Sequence, residues 1–139
     1  MTIYKEEFQI AARDFIAAGE ASGKIKRQIK RLGVEMSIVR RISIASYEAE
    51  INLVIHTCGG KMELLVGEAD IRIIVTDVGP GIPDIKLAMS EGYSTATDDV
   101  RMMGFGAGMG LANMARNADD FNIESEVGKG TRIEMIFRL

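Results

Sequence analysis

Apolar positions along this chain recur at two spacings, and the changes between them mark its elements. Residues 4–10 read as a first strand. Residues 17–32 read as a helix, because Ile25, Ile29 and Leu32 fall at i, i+4 and i+7 and Gly33 is a suitable stop. Residues 36–57 read as a second, long helix with Ile38, Ile42, Ala45, Ala49 and Leu53 on its apolar side, ended by Gly59-Gly60. Residues 61–66 and 71–76 read as a hairpin turning at Gly67-Glu68-Ala69-Asp70. The run from Ile71 to Val75 is β-branched and nearly continuous, the pattern of a buried central strand. Pro80 and Pro83 bar regular structure in the next turn. Residues 85–89 suit a short helix, and residues 91–107 a mobile, glycine-bearing loop. Residues 111–117 read as a helix, and residues 121–126 and 132–138 as a last strand pair turning at Gly128-Lys129-Gly130.

The order is therefore β-α-α-β-β-α-α-β-β. Hairpins flanked by helices suit a mixed sheet covered on one face, not an alternating parallel array. The 139 residues, 47% hydrophobic and 27% charged, suit one domain over residues 1–139 with a core of its own. A net charge of −3 argues against a general nucleic-acid binder. The single cysteine, Cys58, allows no internal disulfide and no Cys/His metal spacing, and the expected compartment is the reducing cytoplasm. There is no basic-then-apolar leader and no apolar run near the ~20 residues of a membrane span. Lys24, Lys26, Arg27, Lys30 and Arg31 on the first helix read as a solvated face, with an acidic partner as the alternative.

Four short groups carry candidate chemistry. Glu48, Asn52 and His56 are four apart, so on a helix they form one slanting stripe. A carboxylate and an amide oxygen one turn apart can serve Mg²⁺, a hard cation that keeps waters and takes phosphate oxygens. Glu48 can instead act as a general base, and a wet helix face explains the same spacing without function. Glu50 points elsewhere, and His56 reads as a satisfied helix-end histidine. Asp77 closes a strand before Gly79 and Gly81; its carboxylate can accept from the exocyclic amine of adenine, and the glycines let backbone lie against a flat ring. Gly104, Gly106, Gly108 and Gly110 alternate before a helix, where bare amides favour an anion. They do not fit the GxGxxG dinucleotide pattern. The Gly19–Lys24 stretch is no P-loop, having three residues between its glycines and Ile25 after the lysine. Last, Gly130-Thr131 opens a strand, where Thr131 could share a water with Asp77 at the adenine, and Lys129 reads as exposed.

In this order the four groups resemble those of the GHKL superfamily, the ATPase fold of gyrase, histidine kinases, MutL and the 90-kDa heat-shock chaperones. The chain most resembles the small bacterial serine kinases that control sigma factors, over nearly its whole length. The helix motif is met by Glu48, Asn52 and His56, the Asp-x-Gly-x-Gly box by Asp77, Gly79 and Gly81, the lid box by Gly108 and Gly110, and the Gly-Thr end by Gly130 and Thr131. The resemblance implies an α/β two-layer sandwich, with a mixed, mostly antiparallel sheet and ATP held between helices and sheet. It implies that Asn52 holds Mg²⁺ and that Glu48 is the base toward a partner's serine. One departure stands at Gly106, where the anti-sigma branch often has a basic residue; Arg101 lies nearby.

These readings converge on an ATP-dependent serine kinase acting on a small regulatory protein, a sigma factor or an antagonist-type substrate, in a bacterial switch. The alternative is a nucleotide-gated module that sequesters its partner without efficient transfer. No nucleic acid and no membrane are expected as partners, and a homodimer stays open.

Overall fold

The computed structural model describes residues 2–79, 81–82, 85–89 and 110–139. The expected loop at 91–107, with Arg101, Gly104 and Gly106, lies outside these residues, as does Gly108. The described elements run β1 (Thr2–Ile10), α1 (Glu20–Arg31), α2 (Met36–His56), β2 (Gly60–Gly67), β3 (Asp70–Asp77), α3 (Ile85–Ala88), α4 (Gly110–Asn117), β4 (Asp120–Glu126) and β5 (Gly130–Arg138). The strands form one sheet in the order β1-β2-β3-β5-β4. Every described pairing is antiparallel, so the mixed, mostly antiparallel sheet expected from the sequence is here antiparallel throughout. The architecture is α/β, an open sheet with helices.

Alternation along the strands sorts the sheet into two faces. Met62, Leu64 and Val66 on β2 and Ile71, Ile73 and Val75 on β3 are buried in one core with Ile25, Ile29, Ile42 and Leu53 of the helices. The opposite face is laced with ion pairs, among them Lys61–Glu63 at 3.5 Å and Arg72–Glu134 at 3.6 Å. Such pairs add little stability singly, but a face that holds them stays wet. β3 is central, as its composition predicts, yet only alternate residues are buried: Ile74 remains partly exposed. Its continuous apolar run overstates its burial because only one face is covered.

α1 begins at Glu20, not at residue 17. Gly19, at φ +97°, takes the N-cap position in a left-handed conformation that closes off the helix. Leu32, expected on the apolar stripe, is the half-exposed C-cap. The stripe is completed instead by the buried Ala21 and Ser22.

α2 is covered on two sides. Ile42, Ala45, Ala49 and Leu53 face the main core, while Ile51 and Ile55 pack against Phe15 and Ala18. The C-terminal half therefore has one narrow stripe left for polar side chains, and Glu48, Asn52 and His56 occupy it, all partly exposed. Arg41 ties α2 to the far end of α4, donating to the Asn117 carbonyl and to Asp119 Oδ1, each at 2.9 Å.

Candidate functional site

The site grows from the C-terminal half of α2, the end of β3, the start of α4 and the turn of the β4–β5 hairpin. Asn52 lies against the first residue of α4. A Cβ placed on Gly110 would sit 3.0 Å from Asn52 Oδ1, so glycine keeps the space before that oxygen open. Among the described residues Asn52 has no hydrogen-bond partner. An amide oxygen uncommitted among the described residues and set against the first residue of α4 fits a hard cation that also takes phosphate oxygens and water. No three His, Cys, Asp or Glu side chains converge on a metal site among the described residues, so a cation here would lean on its ligand's own oxygens.

Glu48, one turn earlier, accepts a hydrogen bond from Asn113 Nδ2 of α4 at 3.2 Å. It is partly exposed and makes no other hydrogen bond among the described residues. Glu50, by contrast, turns inward. It is 2% exposed, and its carboxylate accepts from the backbone N–H groups of Gly19, Ala21 and Ser22 at 3.0, 3.3 and 2.9 Å. The two glutamates are separated by one residue and do opposite work: one anchors a helix start, the other stays available. His56 ends α2; burial, with help from the Arg13 charge, holds its imidazole below the ordinary range, so it is neutral at physiological pH.

At the other end of the site Asp77 terminates β3. Its Oδ1 accepts the Thr131 N–H at 3.0 Å. Burial raises its pKa and that hydrogen bond opposes the rise. The expected link between Asp77 and Thr131 is thus made by backbone N–H; the Thr131 hydroxyl is engaged with Ser125 Oγ at 2.7 Å. Only glycine fits at position 130, where a Cβ would overlap the Asp77 carbonyl oxygen, and at position 81, where it would overlap that of Glu126. Gly79 passes close to Thr57 and Cys58 at the end of α2. Asp77, Gly79, Gly81 and Thr131 are therefore brought together where backbone packs closely on backbone.

Three side chains of this region carry no sequence signature. Ser125 on β4 accepts the Ile82 N–H at 2.7 Å and pairs with Thr131, fastening the Gly81–Ile82 segment to the hairpin. Asn113 meets Glu48, and Glu50 holds the start of α1. Each joins segments far apart in sequence, where no local spacing reports it; Ser125, six residues before Thr131, is the nearest to a signal. Lys129 is exposed as expected and pairs with Glu126 at 3.3 Å.

A separate cleft of about 330 Å³ runs between β1, the 11–18 segment and α1, past Glu50 and Val54. It shares no lining residue with the four groups. No described helix is long and apolar enough to cross a membrane.

Comparison with known proteins identifies the family. Residues 44–139, from mid-α2 to the end of β5, match the family described as histidine kinase-, DNA gyrase B- and HSP90-like ATPases. The chain is 32% identical over 127 residues to the serine/threonine-protein kinase RsbT of Bacillus subtilis (strain 168), covering 88% of this chain and 87% of that protein. It is 35% identical over 113 residues to the anti-sigma F factor of Clostridium novyi (strain NT), covering 77% and 76%. It is also 35% identical over 99 residues to the anti-sigma F factor of Thermoanaerobacter sp. (strain X514), covering 68% and 66%.

Proposed function

This chain belongs to the family of histidine kinase-, DNA gyrase B- and HSP90-like ATPases, and on that premise we propose that it is an ATP-dependent serine protein kinase. It acts on a regulatory protein of a bacterial sigma-factor switch. The observation that carries this reading is the uncommitted pair on α2: Asn52 with its amide oxygen facing the start of α4, and Glu48 one turn away with a carboxylate oxygen to spare.

The adenine lies beside Asp77, Gly79, Gly81 and Thr131, its exocyclic amine donating to the Asp77 oxygen that Thr131 leaves uncovered. The chain of phosphates runs from there along α2. Asn52 would hold Mg²⁺, which would supply charge neutralisation at the phosphates. Gly110, with Gly104, Gly106 and Gly108 before it in sequence, supplies backbone amides to the phosphates. Glu48 accepts the proton of the attacking serine hydroxyl as the oxygen bonds to the γ-phosphorus and ADP departs. The site lies in the cytoplasm, where ATP is plentiful. The relatives' names support sigma-factor control, with a sigma factor or an antagonist of one as the partner.

The test uses labelled ATP with the proteins encoded beside this chain. A general base typically contributes about 10²–10⁴ in rate. Glu48→Gln is expected to bind ATP nearly as tightly as the native chain and to phosphorylate its partner at least ~100-fold more slowly. Transfer by Glu48→Gln at the native rate would sink the catalytic assignment. Partner capture that depends on ATP without any transfer would point instead to a nucleotide-gated sequestering module.

A further inference from the structure

We propose that Asn113 is a positioning residue for Glu48, selecting which carboxylate oxygen is free to take the proton. The proposal rests on the reading of Glu48 as base, and it adds a residue on a different helix to that reading.

The observations are geometric. Asn113 Nδ2 on α4 donates to Glu48 Oε1 on α2 at 3.2 Å, across 65 residues of sequence. Asn113 Oδ1 accepts from Arg116 Nη1, also at 3.2 Å. That second bond settles the orientation of the amide, since oxygen must face the guanidinium and nitrogen the carboxylate. Asn117 Nδ2 donates to the Asn113 carbonyl at 2.8 Å and steadies the same turn. Asparagine is a poor interior residue for an eight-residue helix, so its place on the side facing α2 needs a reason. The bond to Glu48 supplies one.

A glutamate with three rotatable bonds sweeps its carboxylate through several rotamers. A proton acceptor must instead wait within ~2.6–3.2 Å of the attacking oxygen. With Oε1 held by Asn113, the carboxylate stays on the α4 side of α2, where Gly110 brings the chain against Asn52. Oε2 has no hydrogen bond among the described residues. In the transfer step the hydroxyl oxygen of serine, or of water, bonds to the γ-phosphorus. Its proton passes to Oε2, the bond from phosphorus to the bridging oxygen breaks, and ADP leaves with that electron pair. Asn113 exchanges no proton.

The experiment uses ATP itself as the probe, with water as acceptor, under single-turnover conditions in Mg²⁺. The native chain is compared with Asn113→Ala, Glu48→Gln and the double variant, and ADP affinity is measured by calorimetry in each. Asn113→Ala is expected to slow turnover on the order of tenfold while ADP affinity stays within about twofold. The double variant is expected to be no slower than Glu48→Gln alone, because positioning a base that is absent has no effect. Independently of turnover, the side-chain NH₂ resonances of Asn113 are expected to move in Glu48→Gln. Unmoved resonances would overturn the contact. Native turnover by Asn113→Ala beside slow Glu48→Gln, or a further loss in the double variant, would overturn the positioning role and leave the base intact. Native turnover by Glu48→Gln, or no turnover by the native chain, would overturn the base reading and this proposal together. If Asn113→Ala does not fold, the resonance test on Glu48→Gln and the turnover of Asn113→Ser, which keeps a shorter donor and is expected to fall between native and Glu48→Gln, decide the question.

Discussion

Burial pushes the Asp77 carboxyl above its ordinary 3.8, while the Thr131 N–H pulls it back. A raised carboxyl pKa means that the native state holds this proton more tightly than the unfolded chain does. The stabilising contribution of the protonated form is present below 3.8 and is lost as pH rises through the folded value. At neutral pH the ionised Asp77 therefore burdens the fold, and a hydrogen-bond donor such as an adenine amine would relieve it. Asp77→Asn keeps an oxygen for Thr131 and removes the buried charge. We expect its melting temperature to equal or exceed the native one, while ADP binds about tenfold or more weakly, since a hydrogen bond to a charged group is worth roughly 1.5–3 kcal/mol. Calorimetry beside a thermal scan checks both halves. Native ADP affinity in the variant would remove Asp77 from adenine recognition. Asp77 itself was legible in the sequence because Asp-x-Gly-x-Gly is local. Ser125 was not, since its worth lies in the Ile82 N–H it accepts, 43 residues away in the chain.

The same limit governs the elements. Periodicity located every described helix and strand, because a stripe of apolar residues is a property of neighbours in sequence. It misplaced the start of α1, because that boundary is fixed by Glu50, 28–31 residues away, accepting three N–H groups that an isolated helix would leave orphaned. A glutamate amid an apolar helix reads as a solvated residue, yet this one is 2% exposed. Glu50→Ala would leave those donors buried without a partner, and an unpaired buried group costs about 1–3 kcal/mol. Ser22 and the exposed side of the turn recover some of that, so we expect a loss of roughly 2–4 kcal/mol in urea unfolding with an unchanged denaturant slope. Equal stability of Glu50→Ala and the native chain would show that α1 is held by its apolar stripe alone. Because Glu50 and Glu48 face opposite ways, ADP affinity of the folded variant should stay native, which separates the anchoring glutamate from the proposed base.

For the whole molecule, the single histidine makes the acid side of the stability curve unusually easy to read. His56 is the chain's one His, so between about pH 5 and 7 no other side chain has an ordinary pKa in range. Burial holds its folded pKa below the ordinary 6.5, and the Arg13 charge adds to the effect. Between the folded value and 6.5 the unfolded chain therefore binds more protons than the native one. Stability rises with pH across that window and is complete above it. Asp77, whose raised pKa has the opposite sign, works against the decline as acid is added. Asp119 acts on the acid side with the same sign as His56: its carboxyl lies below the ordinary 3.8 chiefly through the Arg138 N–H, so its contribution is lost as pH falls through the folded value. The expected profile is a first loss of stability as pH drops below about 6.5 and a further loss in strong acid, opposed by Asp77 as it takes up its proton. Urea midpoints taken at intervals from pH 7.5 to 5 test the first step, with His56→Gln as the control. The native midpoint should fall and that of His56→Gln should stay flat. A native curve that is flat across this range would mean that His56 titrates alike in the folded and unfolded chains. Parallel declines in both proteins would place the proton elsewhere in the fold.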